Sequence, residues 1–301
     1  MSAIAHAPAV EFLHYGDTGN VGDFLCSPRH YFDFASDRPA LIVGGGASNN
    51  FFCGRAWKRR AGVRIAWGIG QSWRLGREAS PWDRLLKSAT RRLTYARAST
   101  RDPALVSDQL PLVPCVSVFH PVAEISAGTE VGIFLNANAC VSGEHEAMRL
   151  RLPCAALFGP RAFMATNGLS ADAFMRSFRR TGTVITNSYH AAYWGLLSGR
   201  SVHIIGYSSK FSSLAALFDF PESAVIRVSR GDGGTLLRAI EQCADRAPLR
   251  LAKPGLVRSD FRKRNLDFAQ SLVAVGLFAT LKAANDDARF PTSMARQDAL
   301  A

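Results

Sequence analysis

Short apolar runs alternate with amphipathic stretches along most of the chain. Glu11–Tyr15 (EFLHY) reads as a first strand. Ala40–Val43 (ALIV) is a continuous apolar run that ends in Gly44-Gly45-Gly46, and Val63–Trp67 (VRIAW) ends in Gly68-Ile69-Gly70. Trp82 to Leu93 has helical spacing, and Leu93–Ala98 and Val116–Phe119 (VSVF) are further strand candidates. Runs that end in Gly or a polar cluster, with helical pieces between them, predict a parallel sheet covered by helices on both faces.

The pattern restarts after about Ser126. Val131–Leu135 is a strand candidate, followed by a polar Asn-Ala-Asn-Ala segment, and Cys154–Phe158 is another short apolar run. Ser170 stands where it would cap a helix whose last turn carries Arg179 and Arg180. The segment 184–206, VITNSYHAAYWGLLSGRSVHIIG, reads as strand, helix, strand. Val225–Val228 is a last short strand. Thr235–Ala247 and Phe261–Ala284 are helices, and the polar tail from Asp286 is expected to fray. Two strand-helix series predict an α/β protein of two Rossmann-like domains. The expected boundaries are residues 1–125 and 126–285, with a tail at 286–301.

Composition agrees with a globular chain: of 301 residues, 48% are hydrophobic and 20% charged. No apolar stretch approaches the ~20 residues that span a bilayer, and the first residues lack a signal-peptide pattern. A cytoplasmic location is the expectation. Six scattered cysteines without a CxxC argue against zinc or a disulfide framework and for reduced thiols.

The net charge of +12 is unevenly spread. Arg55 to Arg101 holds thirteen Lys/Arg against two acids, and Arg246 to Arg264 seven against one. Such a surface suits phosphorylated substrates or an anionic membrane face. It also suits simple solubility. No nucleic-acid module is recognisable.

Five strand-end clusters carry candidate chemistry. Gly19-Asn20-Val21-Gly22-Asp23 follows the first strand, where glycine permits close approach and Asn20 or Asp23 can cap a helix. Gly44-Gly45-Gly46 is costly in entropy and suggests close approach of a ligand or of the other domain. In Thr100-Arg101-Asp102 the Arg offers a fork for carboxylate or phosphate, with Asp102 to orient it. Asn187, Ser188, Tyr189 and His190 sit where a strand gives way to a helix. His190 there suits a general acid or base near neutral pH, and the helix N-terminus suits an anion. Lys210 follows the next strand, as a point charge for phosphate. Each has a plain structural counterpart: a capped turn, a surface ion pair, a packed histidine, a solvated lysine.

Taken in order, these elements resemble the polysaccharide pyruvyl transferase family over roughly residues 12–215. The resemblance implies two domains of the glycosyltransferase B type with the active site in their cleft. It implies transfer of a pyruvyl unit from phosphoenolpyruvate to a pair of sugar hydroxyls as a ketal, during exopolysaccharide or cell-surface glycan synthesis. His190 would be the catalytic acid/base. Asn20, Asp23, Gly45, Gly46, Arg101, Asn187, Ser188, Tyr189 and Lys210 would bind substrate, with Arg101 and Lys210 holding the donor's anionic groups. No metal or organic cofactor is needed by this scheme. The partners implied are phosphoenolpyruvate and a saccharide acceptor, which the family often takes on a lipid carrier, so the inner membrane face is a further location. Family members often carry Arg two residues before the motif histidine; Ser188 stands there in this chain, so a donor-binding cation must come from elsewhere or the donor differs. Two other classes stay open: a nucleotide-sugar glycosyltransferase of the same fold, and a non-catalytic partner in polysaccharide assembly. The basic helix from Phe261 suits either an anionic membrane face or packing across the first domain, and packing is the favoured reading.

Overall fold

The computed structural model describes residues 10–12, 14, 16–17, 19–34, 39–44, 46, 63–73, 95–143 and 153–273. The expected helix over Trp82–Leu93, Gly45, the polar tail and the helix beyond 273 lie outside the described residues. In the first half, β1 (Val10–Phe12) leads to a short helix α1 (Val21–Leu25), then β2 (Ala40–Gly44), β3 (Val63–Ile69) and β4 (Arg97–Thr100). The four strands are parallel and lie side by side in sequence order. Connecting 3₁₀ turns cover Pro103–Leu105, Val116–Phe119 and Pro121–Ala123.

The second half holds β5 (Glu130–Leu135), α2 (Ala139–Ser142), α3 (Cys154–Phe158), β6 (Phe163–Thr166), α4 (Ala171–Arg180) and β7 (Thr181–Thr186). It continues through α5 (Tyr189–Leu197), β8 (Ser201–Gly206), α6 (Ser209–Leu217), β9 (Val225–Arg227) and α7 (Gly233–Gln242). It ends in α8 (Pro254–Val273). Its five parallel strands run in the order β6-β5-β7-β8-β9. The winding direction therefore reverses between β5 and β7. In open α/β sheets the crevice beyond the strand ends at such a point is where ligands bind.

Two sequence expectations change. Val116–Phe119 is a 3₁₀ turn, not a strand. Val116, Ser117 and Val118 are all buried, so the run has no alternation to hold it extended, and Pro114 and Pro121 bracket it. Cys154–Phe158 is a helical turn started by Pro153, whose carbonyl accepts from Ala156 and Leu157. The strand in this region is β6, four residues long and only half-buried. The Ser170 cap forms as expected, its Oγ accepting from the Ala173 N–H at 3.3 Å.

Three apolar clusters make the core. On one face of the second sheet, α4, α5 and α6 pack together with Val21, Phe24 and Leu25 of α1. The short helix of the first half is thus buried in the core of the second. On the opposite face, Ile133, Ile185 and Ile205 meet Leu236 and Ile240 of α7. In the first half, Ile42, Ile65 and Trp67 meet Phe268, Ala269 and Leu272 of α8. Asn265 fixes that crossing, since its Oδ1 accepts from Trp67 Nε1 at 2.8 Å and its Nδ2 donates to the Pro114 carbonyl at 3.1 Å. The α8 cations are paired: Arg262 with Glu124 at 2.8 Å, Lys263 with Asp267 at 2.6 Å and Arg264 with Asp260 at 2.8 Å. Packing against the first half therefore accounts for this helix. Among the described residues no helix is long and apolar enough to cross a membrane, and the described cysteines form no disulfide.

Candidate functional site

A cavity of about 290 Å³ opens at the ends of β5 and β7, at the small end of the ~300–1,000 Å³ typical of ligand sites. Its wall gathers Asn20, Asp23, Arg101, Ser188, Tyr189, His190 and Lys210, which come from four of the five strand-end clusters. Asn187 and Gly46 do not line it. The Asn187 side chain is buried in support, with Oδ1 accepting from the Asn136 N–H at 2.8 Å and Nδ2 donating to Ser142 Oγ at 2.9 Å. Gly46 lies under His14, where a Cβ would come within 2.6 Å of the imidazole Nε2.

Asn20 is the N-cap of α1, its Oδ1 accepting from the N–H groups of Gly22 at 3.0 Å and Asp23 at 3.4 Å. Its Nδ2 donates to Asp23 at 2.9 Å. The same Oδ1 accepts from Asn167 Nδ2 of the second half at 3.1 Å, and the Val21 N–H donates to the Asn167 carbonyl at 2.8 Å. Gly22 faces His190 directly: a Cβ there would lie 2.2 Å from His190 Nδ1. The glycine of this motif thus makes room for a ring from the other half. Beside the cavity, His14, Asp17 and Asp23 bring one ligand-type atom each within 4.8 Å of one another. His14 and Asp17 share a turn in which the Asp17 N–H donates to the His14 carbonyl at 3.0 Å and the Asp17 carboxylate accepts from the Gly19 N–H at 3.2 Å, while Asp23 belongs to α1.

Arg101 leaves the end of β4 and runs past Gly70, where a Cβ would stand 2.8 Å from its Nε. It is 5% exposed, its guanidinium carbon lies 4.0 Å from the centre of the Tyr189 ring, and its Nη1 has no hydrogen-bond partner. Asp102 does not orient it. The Asp102 carboxylate accepts from the Ala104 N–H at 3.2 Å and caps the next turn. Among the described residues Arg101 has no carboxylate partner.

His190 sits in the first turn of α5. Its Nε2 lies 3.6 Å from Cys115 Sγ, and its ring leans on Trp194 at a centroid distance of 5.5 Å. Burial, then repulsion from Arg101, Lys210 and His14, drives its pKa well below the usual histidine value. In the free site the imidazole is neutral, so at neutral pH it is a proton acceptor and not an imidazolium acid. Burial likewise raises the Cys115 thiol and the Tyr189 phenol, so both keep their protons.

The remaining wall was not singled out by the sequence. Asn136 and Asn138 follow β5, Asn167 follows β6, and Arg230 follows β9. Asn167 is 4% exposed and accepts from the Ala137 N–H at 2.7 Å. Asparagines after short strands look like ordinary turn residues, so pattern alone gives no signal for them. Lys210, in the first turn of α6, donates to Tyr207 Oη at 2.6 Å. Arg230 supplies a further cation on the same wall. A clasp joins the halves at one edge: the Ser209 N–H donates to the Trp73 carbonyl and the Trp73 N–H to Ser209 Oγ, each at 3.0 Å. Ser72 and Ser208 hydroxyls meet at 3.0 Å beside it.

No family model and no curated protein matches the chain. Among solved structures, the chain is similar to the spinosyn rhamnosyltransferase SpnG complexed with thymidine diphosphate. The identity is 11% over 78% of this chain and 72% of that one, with a TM-score of 0.38. It is also similar to the glycotransferase of kitacinnamycin, at 10% identity over 85% of this chain and 80% of that one, with a TM-score of 0.36. Likeness at these levels carries nothing about substrate. The strand topology and the shared cavity describe the fold themselves: α/β, with two parallel Rossmann-like sheets facing one cleft.

Proposed function

We propose that the chain is a transferase that moves a pyruvyl group from phosphoenolpyruvate to a pair of sugar hydroxyls. The observation that carries this reading is Arg101: a guanidinium buried to 5% exposure, lining the cavity, with an unsatisfied N–H and no carboxylate partner among the described residues. Asp23, on the same wall, offsets part of the burial cost of this charge without bonding to it, and a buried charge that lacks a bonded partner still costs free energy. An anionic ligand in the cavity would remove that cost. Lys210 and Arg230 add positive charge to the same wall, enough for a donor with both a carboxylate and a phosphate.

In this scheme C3 of the donor gains a proton and C2 becomes an oxocarbenium centre. One sugar hydroxyl adds to C2, the C2–O bond to phosphate breaks, and the second hydroxyl closes the ketal. One hydroxyl proton ends on C3 and the other on the departing phosphate. In the loaded site the donor's negative charge would offset the repulsion of Arg101 and Lys210 that depresses His190, which raises its basicity toward what is needed to take a proton from a hydroxyl. Arg101, Lys210 and Arg230 suit the growing negative charge on the leaving phosphate.

A second reading is transfer of a sugar from a nucleotide-sugar. It is favoured by Lys210 and Arg230, which follow the successive strands β8 and β9 and could hold a diphosphate along that edge. The experiment that separates the two is calorimetric and thermal-shift titration of the protein with phosphoenolpyruvate beside nucleotide-sugars, repeated on Arg101→Ala and His190→Ala. Pyruvyl transfer requires saturable phosphoenolpyruvate binding that Arg101→Ala weakens by about 10²-fold, the effect of removing one partner of a buried charged contact. Binding of nucleotide-sugar alone would replace the first reading with the second.

A further inference from the structure

The cavity holds a second buried polar atom that the scheme above leaves unused. Tyr189 is 5% exposed, lines the cavity, and its hydroxyl has no hydrogen-bond partner. Buried tyrosine hydroxyls normally find one. Tyr193, one turn further along α5 and stacked on Tyr189 at 6.2 Å, does so: its hydroxyl donates to the Cys115 carbonyl at 2.9 Å. The helix therefore carries two stacked tyrosines, one satisfied inside the core and one, on a residue that lines the cavity, whose buried hydroxyl has no partner.

The unpartnered hydroxyl lies on the ring that stacks under Arg101, at 4.0 Å from guanidinium carbon to ring centre. The unsatisfied Arg101 Nη1 and the unsatisfied Tyr189 Oη are therefore neighbours on one wall. We infer that Tyr189 is the neutral arm of an anion clamp, its phenol O–H and the Arg101 N–H donating to the same carboxylate or phosphate group of the ligand. This rests on the anion site of the proposed function and adds its second donor. The stack fixes the direction of the hydroxyl, because turning the ring away would give up its contact with the guanidinium. A phenol adds a directed hydrogen bond without adding charge, so it rewards an unprotonated oxygen and sharpens orientation. Burial keeps the phenol protonated, so the donor is present throughout the neutral and mildly alkaline range.

Tyr189→Phe removes one oxygen and keeps the stacked ring. Wild type, Tyr189→Phe and Arg101→Ala are titrated with phosphoenolpyruvate, pyruvate, inorganic phosphate and a nucleotide-sugar, and the melting temperature of each free protein is recorded. The clamp requires Tyr189→Phe to weaken anion binding by about 10- to 100-fold, the worth of one hydrogen bond to a charged group. It also requires the free variant to melt no lower than wild type, since a hydroxyl without a partner is lost. A weakening seen with pyruvate assigns the clamp to the carboxylate; one seen only with phosphate assigns it to the phosphoryl group. Unchanged affinity in Tyr189→Phe, with binding lost in Arg101→Ala, overturns the clamp and leaves the anion site standing. Binding of nucleotide-sugar alone, weakened by Tyr189→Phe, overturns pyruvyl transfer and keeps the clamp. Absence of all anion binding by wild type overturns both.

Discussion

Replacing Gly22 by Ala tests whether the glycine of the Gly-Asn-Val-Gly-Asp motif serves backbone freedom or space. Gly22 lies inside α1, in a backbone conformation that any residue adopts. On propensity alone, Ala in a helix interior is worth about 1 kcal/mol over Gly. The structure opposes that gain. The added methyl would sit 2.2 Å from His190 Nδ1, 2.7 Å from Cγ and 2.9 Å from Cβ. Such separations force something to move. The ring has little room to retreat, with Cys115 Sγ at 3.6 Å and Trp194 tilted against it at a centroid distance of 5.5 Å. Overpacking of this kind costs about 1–3 kcal/mol. The sum is a change in stability of about 0–2 kcal/mol in the unfavourable direction.

The effect on function is expected to be larger. A displacement of His190 by about 1 Å is enough to cost on the order of 10²-fold in turnover. Urea unfolding gives the first quantity. Turnover, or phosphoenolpyruvate affinity where the acceptor is unknown, gives the second. A Gly22→Ala protein about 1 kcal/mol more stable than wild type and equal to it in binding and turnover would refute the steric reasoning. Gly22→Ser separates size from polarity, because it adds a larger side chain that can hydrogen-bond and should lose at least as much.

Three further outcomes follow from buried groups. His30, His120 and His203 are pushed down to about 4, about 3 and about 4 by burial. The unfolded chain therefore binds protons near 6.5 that the native state refuses, and stability present above pH 6.5 is lost as pH falls toward 4, by on the order of 2 kcal/mol per histidine at pH 5; urea midpoints that stay level between pH 7.5 and 5 would contradict this. Arg200, 1% exposed, donates to the carbonyls of Ile125, Ser126, Phe178 and Thr181 at 2.8–3.0 Å, so Arg200→Ala should cost about 3 kcal/mol or more by stranding them, read by chemical denaturation. Asn265→Leu removes the bond to Trp67 Nε1 and should cost about 1–3 kcal/mol, with a shift in tryptophan fluorescence as the indole loses its acceptor.

The strand ends were legible because each carries a composition switch, from apolar residues to Gly, Asn, Ser or a charge. That switch marked Asn20, Arg101, His190 and Lys210, and the cavity gathers all four. The same reasoning overreached at Asn187 and Gly46, whose strand-end positions are equally polar or small but whose atoms face support contacts. Local pattern does not say which way a side chain points. It also gave no warning of Asn167 or Arg230, which follow strands of four and three residues with almost no periodicity. Val116–Phe119 shows the opposite failure: three apolar residues around Ser117 met the strand pattern, yet Val116, Ser117 and Val118 are all buried, which removes the alternation that distinguishes a strand from a turn.

The order of the second sheet explains why these distant residues meet. Reversal of winding between β5 and β7 opens the crevice at Leu135 and Thr186, and the chain after each strand must turn there. Closing it requires the first half, and α1 provides this by burying Val21, Phe24 and Leu25 in the second half's core. At roughly 1.5–3 kcal/mol for each fully buried large side chain, that contact is of the same order as the interdomain hydrogen bonds taken together, each worth about 0.5–1.5 kcal/mol. The site's N-terminal residues are therefore held by core packing and hydrogen bonding together. The consequence is electrostatic. Arg101 faces the cavity in a wall from which water is largely excluded, so its attraction for an anion is much stronger than on an open surface. An anion gripped by Arg101 from one half and by Lys210 or Arg230 from the other would stabilise the closed arrangement by RT ln(1 + c/Kd), which grows with the free ligand concentration c. Saturating phosphate or phosphoenolpyruvate should then raise the melting temperature of both halves together, whereas in Arg101→Ala any ligand-induced gain should shrink in proportion to the lost affinity.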